Sequence, residues 1–272
     1  MTKSEHLQNL VESGTSRRQF ARNMMLGGAA AGAATFLGPI AELKAQSLSD
    51  VDILNFALNL EYLEAEFYTV ATTGQRISEQ GVGITGTGRS GDTVGGSRVS
   101  LNDRIMTVAM QIALDERNHV NFLRQALGNN AVAKPAINLA ALNVGFNNAN
   151  EFLTVARAFE DLGVSAYGGA AAFITNRSIL TNAAQIALTE AQHAGVLRLL
   201  VSDAGIAVPG VDALDVLPLM SPNGRLFQVD GAGRSTIRTP GQVLAVAYGS
   251  ANAGTRAGGF FPNGVNGPIA SV

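Results

Sequence analysis

Two short stretches constrain this chain more than any others: Leu114-Asp115-Glu116-Arg117-Asn118-His119 and Leu188-Thr189-Glu190-Ala191-Gln192-His193. On a helix, residues i and i+3 share a face, about 5–6 Å apart at Cβ. Each stretch can therefore aim a carboxylate and an imidazole at one point. Two Glu-x-x-His helices, with one Glu from each of two further helices, make the ligand set of a carboxylate-bridged dimetal site inside a four-helix bundle. The rest of the sequence reads as scaffold, export signal or decoration for such a site.

Residues 1–45 are set aside first. Ser16-Arg17-Arg18-Gln19-Phe20 is a twin-arginine pattern, and an uncharged run rich in Gly and Ala follows from Asn23 to Ala41. Leu43-Lys44-Ala45 is a candidate cleavage site. A membrane anchor needs about 20 strongly apolar residues, and Gly27, Gly28, Gly32 and Gly38 weaken that reading. The segment reads as a signal for the Tat machinery, which exports proteins already folded, so the expected location is periplasmic or extracellular. Removing it leaves fourteen Lys/Arg, eighteen Asp/Glu and two histidines, His119 and His193. That acidic balance gives no case for nucleic-acid binding.

Four long helices are expected in order. The first runs from about Ser49 to Thr73, with apolar residues at helical spacing. A loop with eight glycines, from Gly74 to about Val99, is too Gly-rich for a helix. It either covers one end of the bundle or stays mobile. The second helix opens with Ser100 as N-cap and stops at Gly128. Roughly 22 residues follow, enough extended chain to cross the length of a bundle. The third helix runs from about Asn150 to Ile174. A tight return at Thr175–Leu180 leads to the fourth, capped by Thr181 and ending near Gly205. Residues 46–205 therefore form the bundle. Residues 206–272 read as an irregular Gly/Pro-rich extension packing on the bundle or on a neighbouring subunit of a homo-oligomer. It carries one short helix, at Thr239-Pro240-Gly241 to Tyr248, with Pro at its first position.

The double Glu-x-x-His is hard to ascribe to chance. With eight Glu after residue 45, two independent cases come to roughly one in 800, set against a pattern that dimetal bundles require. The other two helices add a second regularity: Glu61 and Tyr68 are seven residues apart, and so are Glu160 and Tyr167. Seven residues is close to two turns, so each Glu shares a face with its Tyr. The chain reads as two hairpins of one plan around an approximate twofold axis. Four carboxylates in one core repel each other and resist desolvation, and two divalent cations would neutralise them. Glu61, Glu116, His119, Glu160, Glu190 and His193 are the expected ligands. Glu64, one turn after Glu61, is an alternative to it. Glu64, Tyr68 and Tyr167 are candidates to support the ligands from behind, as Asp115 and Asp161 are for an imidazole N–H. Arg117 and Arg157 are the nearest basic partners in sequence.

These residues resemble the ferritin-like superfamily, in the branch of desiccation-related and fungal stress-response proteins. The likeness runs through Leu60-Glu61-Tyr62-Leu63-Glu64-Ala65-Glu66-Phe67-Tyr68, Asp115–His119, Phe159-Glu160-Asp161-Leu162-Gly163-Val164-Ser165-Ala166-Tyr167 and Glu190–His193. It also takes in Arg238-Thr239-Pro240 and Gly259-Phe260-Phe261-Pro262-Asn263-Gly264. The resemblance implies an all-α ferritin-like four-helix bundle with a long crossover between helices 2 and 3, and a metal site.

Two functions follow as expectations. One is redox chemistry on peroxide or dioxygen at two iron or manganese ions, with manganese catalase as the nearest mechanistic model by resemblance. The other is a metal-stabilised, non-enzymatic protein of the envelope. Cysteine is absent, which excludes iron–sulfur clusters, thiolate zinc and a catalytic thiol. Disproportionation suits such a chain because it needs no external electron donor. Imidazole and carboxylate ligands suit iron and manganese alike.

Overall fold

Helix α1 spans Asp50–Thr73 and is fixed at both ends by its own residues. Ser49 and Asp52 form a reciprocal capping box at the start. Gly74, at φ 80°, closes the end in the left-handed conformation that glycine adopts without penalty. The structure, a computed structural model, describes residues 48–219 and 224–272. The twin-arginine pattern and the candidate cleavage site lie outside the described residues.

Three further long helices follow: α2 (Asp103–Leu127), α3 (Ala149–Ala170) and α4 (Arg177–Asp203). A short α5 covers Pro240–Tyr248. Helices α1 and α2 pack as one hairpin and α3 and α4 as a second, joined by contacts of α1 with α3 and of α2 with α4. The fold is an all-α four-helix bundle with a long crossover between α2 and α3. Among the described residues, no helix is long and apolar enough to cross a membrane.

Two expected caps shift. Helix α2 starts at Asp103, where the Asn102 side chain accepts from Ile105 N; Ser100 is not the cap. Helix α4 starts one turn before Thr181, because Asn176 accepts from Ser178 N and Ile179 N. Asp50 fixes that turn from α1 by accepting from the Thr175 and Asn176 amides. Helix α3 is correspondingly shorter than expected and passes through a tight turn at Ala171–Phe173.

Helix α1 is buried on every side from Ile53 to Thr72 apart from a half-buried Ala57. A helix inside a bundle usually keeps one solvent face. Here the loop, the crossover and the C-terminal segment cover that face. Strand β1 (Thr93–Val94) of the Gly-rich loop pairs in parallel with β2 (Ile137–Asn138) of the crossover. A Cβ on Gly86 would stand 2.3 Å from Ala131 O, so only glycine permits this approach. Glu66 of α1 ties both segments down, accepting from Thr93 Oγ1 at 2.8 Å beside the buried Lys134 ammonium. Asn59 holds the far end of the chain by exchanging hydrogen bonds with Asn266.

The C-terminal segment is fastened to α3 and α4 by three buried arginines. Arg157 donates to both oxygens of Asp215. Arg238 donates to both oxygens of Asp212 and to Ser165. Arg198 binds Asp161 at 2.7 Å and the carbonyls of Val216 and Leu226. Thr239 caps α5 with Pro240 at its first position, as the sequence predicts. The Gly258–Gly264 stretch is a docking turn: Phe261 is fully buried, and Phe260 packs edge-on against Phe159 at 4.9 Å.

Candidate metal centre

The heptad stripes of four helices converge near mid-bundle. Glu61 comes from α1, Glu116 and His119 from α2, Glu160 from α3, and Glu190 and His193 from α4. All six are buried, with His119 the most exposed at 8%. Their donor atoms form two overlapping groups, each within 4.8 Å: Glu61, Glu116, His119 and Glu190, and Glu116, Glu160, Glu190 and His193. Glu116 and Glu190 belong to both groups, while Glu61 and Glu160 serve one each. All six expected residues are thus brought together, in the twofold arrangement that the hairpin repeat predicts.

The detailed contacts fit cations better than mutual hydrogen bonding. His119 Nδ1 stands 3.3 Å from Glu61 Oε2, 3.3 Å from Glu116 Oε2 and 3.2 Å from Glu190 Oε1. One N–H cannot serve three acceptors. His193 Nδ1 likewise faces Glu116 Oε1 at 3.1 Å and Glu160 Oε2 at 3.2 Å. Five carboxylate oxygens of the cluster lack a hydrogen-bond partner: one each on Glu61, Glu116 and Glu160, and both on Glu190. Orphaned buried acceptors are costly and uncommon. First-row metal bonds of about 2.0–2.2 Å place neighbouring ligands of an octahedron about 3 Å apart. The spacing here is therefore that of atoms aimed at a common ion.

Electrostatics agree. Burial, then the charges of Glu61 and Glu160, push the Glu116 carboxyl up to about 7. Glu190 and Glu64 are pushed well above the carboxylate range, by burial first and by their glutamate neighbours second. Burial alone would depress both imidazoles, but the surrounding carboxylates outweigh it and raise them, His193 to about 12. Burial would raise Glu61, but the charge and hydrogen bond of His119 outweigh it and lower that carboxyl. Such a cluster keeps positive charge, whether as protons or as metal.

The supporting residues are placed as follows. The Tyr167 hydroxyl donates to Glu61 Oε1 at 2.5 Å, and Tyr68 lies beside Glu160 while donating to Ala156 O. Each tyrosine therefore serves the glutamate of the other helix, not the one on its own. Asp115 accepts from or faces His193 Nε2 at 3.2 Å, fixing that ring from behind. The matching position on α4 is Thr189, which bonds instead to Gln185 O. Glu64 is buried against the cluster and does not displace Glu61 from it. Asp161 turns away to Arg157 and Arg198. Neither Arg117, which donates to Thr69, nor Arg157 touches the cluster. Arg198 had no local sequence signal, because its partners lie 18 to 37 residues away.

The profile of the ferritin-like domain matches residues 49–203, the span from the α1 cap to the end of α4. The chain belongs to the ferritin-like domain family. It is 22% identical over 276 residues to the ferritin-like catalase Nec2 of Nesocodon mauritianus, a match covering 82% of this chain and 85% of that one. It is also 33% identical over 93 residues to the desiccation-related protein PCC13-62 of Craterostigma plantagineum, covering 34% of this chain and 28% of that one. The catalase match covers more of the chain than the domain alone, so it extends into residues outside the bundle. This ferritin-like protein thus combines a carboxylate and histidine cluster suited to metal with a catalase among its relatives.

Proposed function

We propose that this ferritin-like protein holds two iron or manganese ions in the α1–α4 cluster and disproportionates hydrogen peroxide. The observation that carries the reading is the convergence of unpartnered carboxylate oxygens and two imidazole Nδ1 atoms on two adjacent points. Bound there, such a pair of ions would supply reversible two-electron chemistry, turning one peroxide into dioxygen and the next into water without an outside donor. Glu61, Glu116, His119, Glu160, Glu190 and His193 would hold them, Glu116 and Glu190 being common to both groups. Asp115 orients His193, and Tyr167 holds Glu61. Glu64 can keep a proton beside the cluster, since burial favours its neutral form.

The reading also includes export through the Tat pathway, carried by Ser16-Arg17-Arg18-Gln19-Phe20. Replacing both arginines by lysine should leave the protein in the cytoplasm, as fractionation and immunoblotting would reveal. The likeness to a desiccation-related protein favours a second reading, in which the metals only offset buried charge and nothing turns over.

Elemental mass spectrometry of protein recovered after native export, with oxygen release from peroxide, separates these. About two equivalents of iron or manganese and rapid oxygen release are expected. Both should fall in Glu116→Ala/His119→Ala. A filled but inert site would leave the structural reading, and a folded protein without metal would end both.

A further inference from the structure

The two sides of the cluster differ in chemistry. Both imidazoles enter from α2 and α4. On that side lies an open groove of about 750 Å³, where Gln111, Asp115, Gln192 and His193 are set among apolar side chains such as Met110 and Leu114. It reaches Asp115 and His193, whose Nε2 faces Asp115 while its Nδ1 faces the cluster. The opposite side, along the seam between α1 and α3, is apolar.

Two narrow cavities of about 20 Å³ each run along this seam. About 10–15 Å³ suffices for one water-sized molecule, so each admits a single small guest. One is walled by Phe159, Ala247 and Phe260, the other by Ile53, Ala57 and Ala166. Leu60, Glu64 and Gly163 line both, so the two cavities abut the same residues at the edge of the cluster. The absence of a side chain at Gly163 opens that edge: a Cβ there would stand 2.5 Å from Glu190 Oε2 and 3.2 Å from Glu64 Oε1.

We infer that the α1–α3 seam is the entry route by which a small uncharged molecule, the size of dioxygen or hydrogen peroxide, reaches the cluster, with α5 and Phe260 as outer wall and Gly163 as inner opening. Apolar walls disfavour ions, which lose hydration on entry. The dimensions refuse organic hydroperoxides. The wider groove admits larger solutes but leads them behind His193. This route rests on the metal reading for what happens at its end, and not for its existence.

The test combines xenon and cavity-filling variants placed away from the ligands. Xenon under pressure occupies dry apolar cavities, so crystals of the wild-type protein should show it beside Leu60 and Gly163, with or without metal. Ala57→Leu/Ala247→Leu should exclude xenon, retain the wild-type metal content, and lower kcat/KM for hydrogen peroxide by about tenfold or more, as restricted access does. Met110→Trp, on the groove rim, should leave that value unchanged. Wild-type protein should turn over tert-butyl hydroperoxide far more slowly than hydrogen peroxide. Xenon absent from the seam overturns the proposal, as does an unchanged kcat/KM in a fully metallated double variant, or a loss in Met110→Trp. A wild-type protein without metal would defeat the function proposed above, while the xenon result would still decide the route.

Discussion

At Gly163 one missing carbon governs the centre. The nearest atom to an added Cβ is the far end of the Glu190 side chain, at 2.5 Å. A carboxylate can swing aside without disturbing the backbone, and Ala favours a helix over Gly by about 1 kcal/mol. Gly163→Ala should therefore fold as stably as the wild type in the absence of metal, yet bind fewer ions, because Glu190 belongs to both ligand groups. Metal content measured beside a urea melt checks this; full occupancy in the variant refutes it. The clustering of the six side chains was legible, since Glu116, His119, Glu190 and His193 are related by local spacing, and Glu61 and Glu160 by their matched tyrosines. The crossed service of those tyrosines was not legible. Which glutamate Tyr167 reaches depends on how α1 and α3 pack, and no spacing within either helix encodes that.

Elements show the same division. Helix existence followed from periodicity, and the ends of α1 and α5 followed from Ser49, Gly74, Thr239 and Pro240. The start of α4 did not, because Asn176 and Thr181 are both competent caps and Asp50 on a distant helix decides between them. Nor did the buried ion network that binds the C-terminal segment to α3 and α4. Arg198 is 1% exposed and bonded to Asp161, Gln228 and two backbone carbonyls. Breaking one partner of a buried pair costs about 3–5 kcal/mol, since the other charge is stranded, while replacing both is often neutral. Arg198→Leu would leave Asp161 only its longer contact to Arg157 and strand the Val216 and Leu226 carbonyls, so it should lower stability by about 3 kcal/mol. In Arg198→Leu/Asp161→Leu the loss should be clearly smaller. Chemical denaturation of the two variants would show it, and equal losses would argue against a coupled pair.

For the molecule as a whole, protons and metal compete for one cluster. Folding raises Glu64, Glu116 and Glu190, burial being the first cause, together with both histidines. The metal-free folded chain therefore holds protons that the unfolded chain releases above its ordinary carboxylate pKa of 4.5. Stability is fully present below that value and declines as pH rises through about 7, where Glu116 titrates. The lowered Glu61 works the other way, but only below the ordinary carboxylate range. Metal binding needs those protons gone, so the loaded protein should gain stability over the same interval. Calorimetric melting with and without chelator, between about pH 5 and pH 8, should give slopes of opposite sign. Parallel slopes would defeat the prediction. The division of ligands between hairpins has another consequence. Each group takes three residues from one hairpin and a single shared glutamate from the other. A hairpin made alone could thus capture an ion loosely and wait, and the arriving second half would complete both positions at once. An occupied centre would therefore be a record that both halves of the bundle have come together.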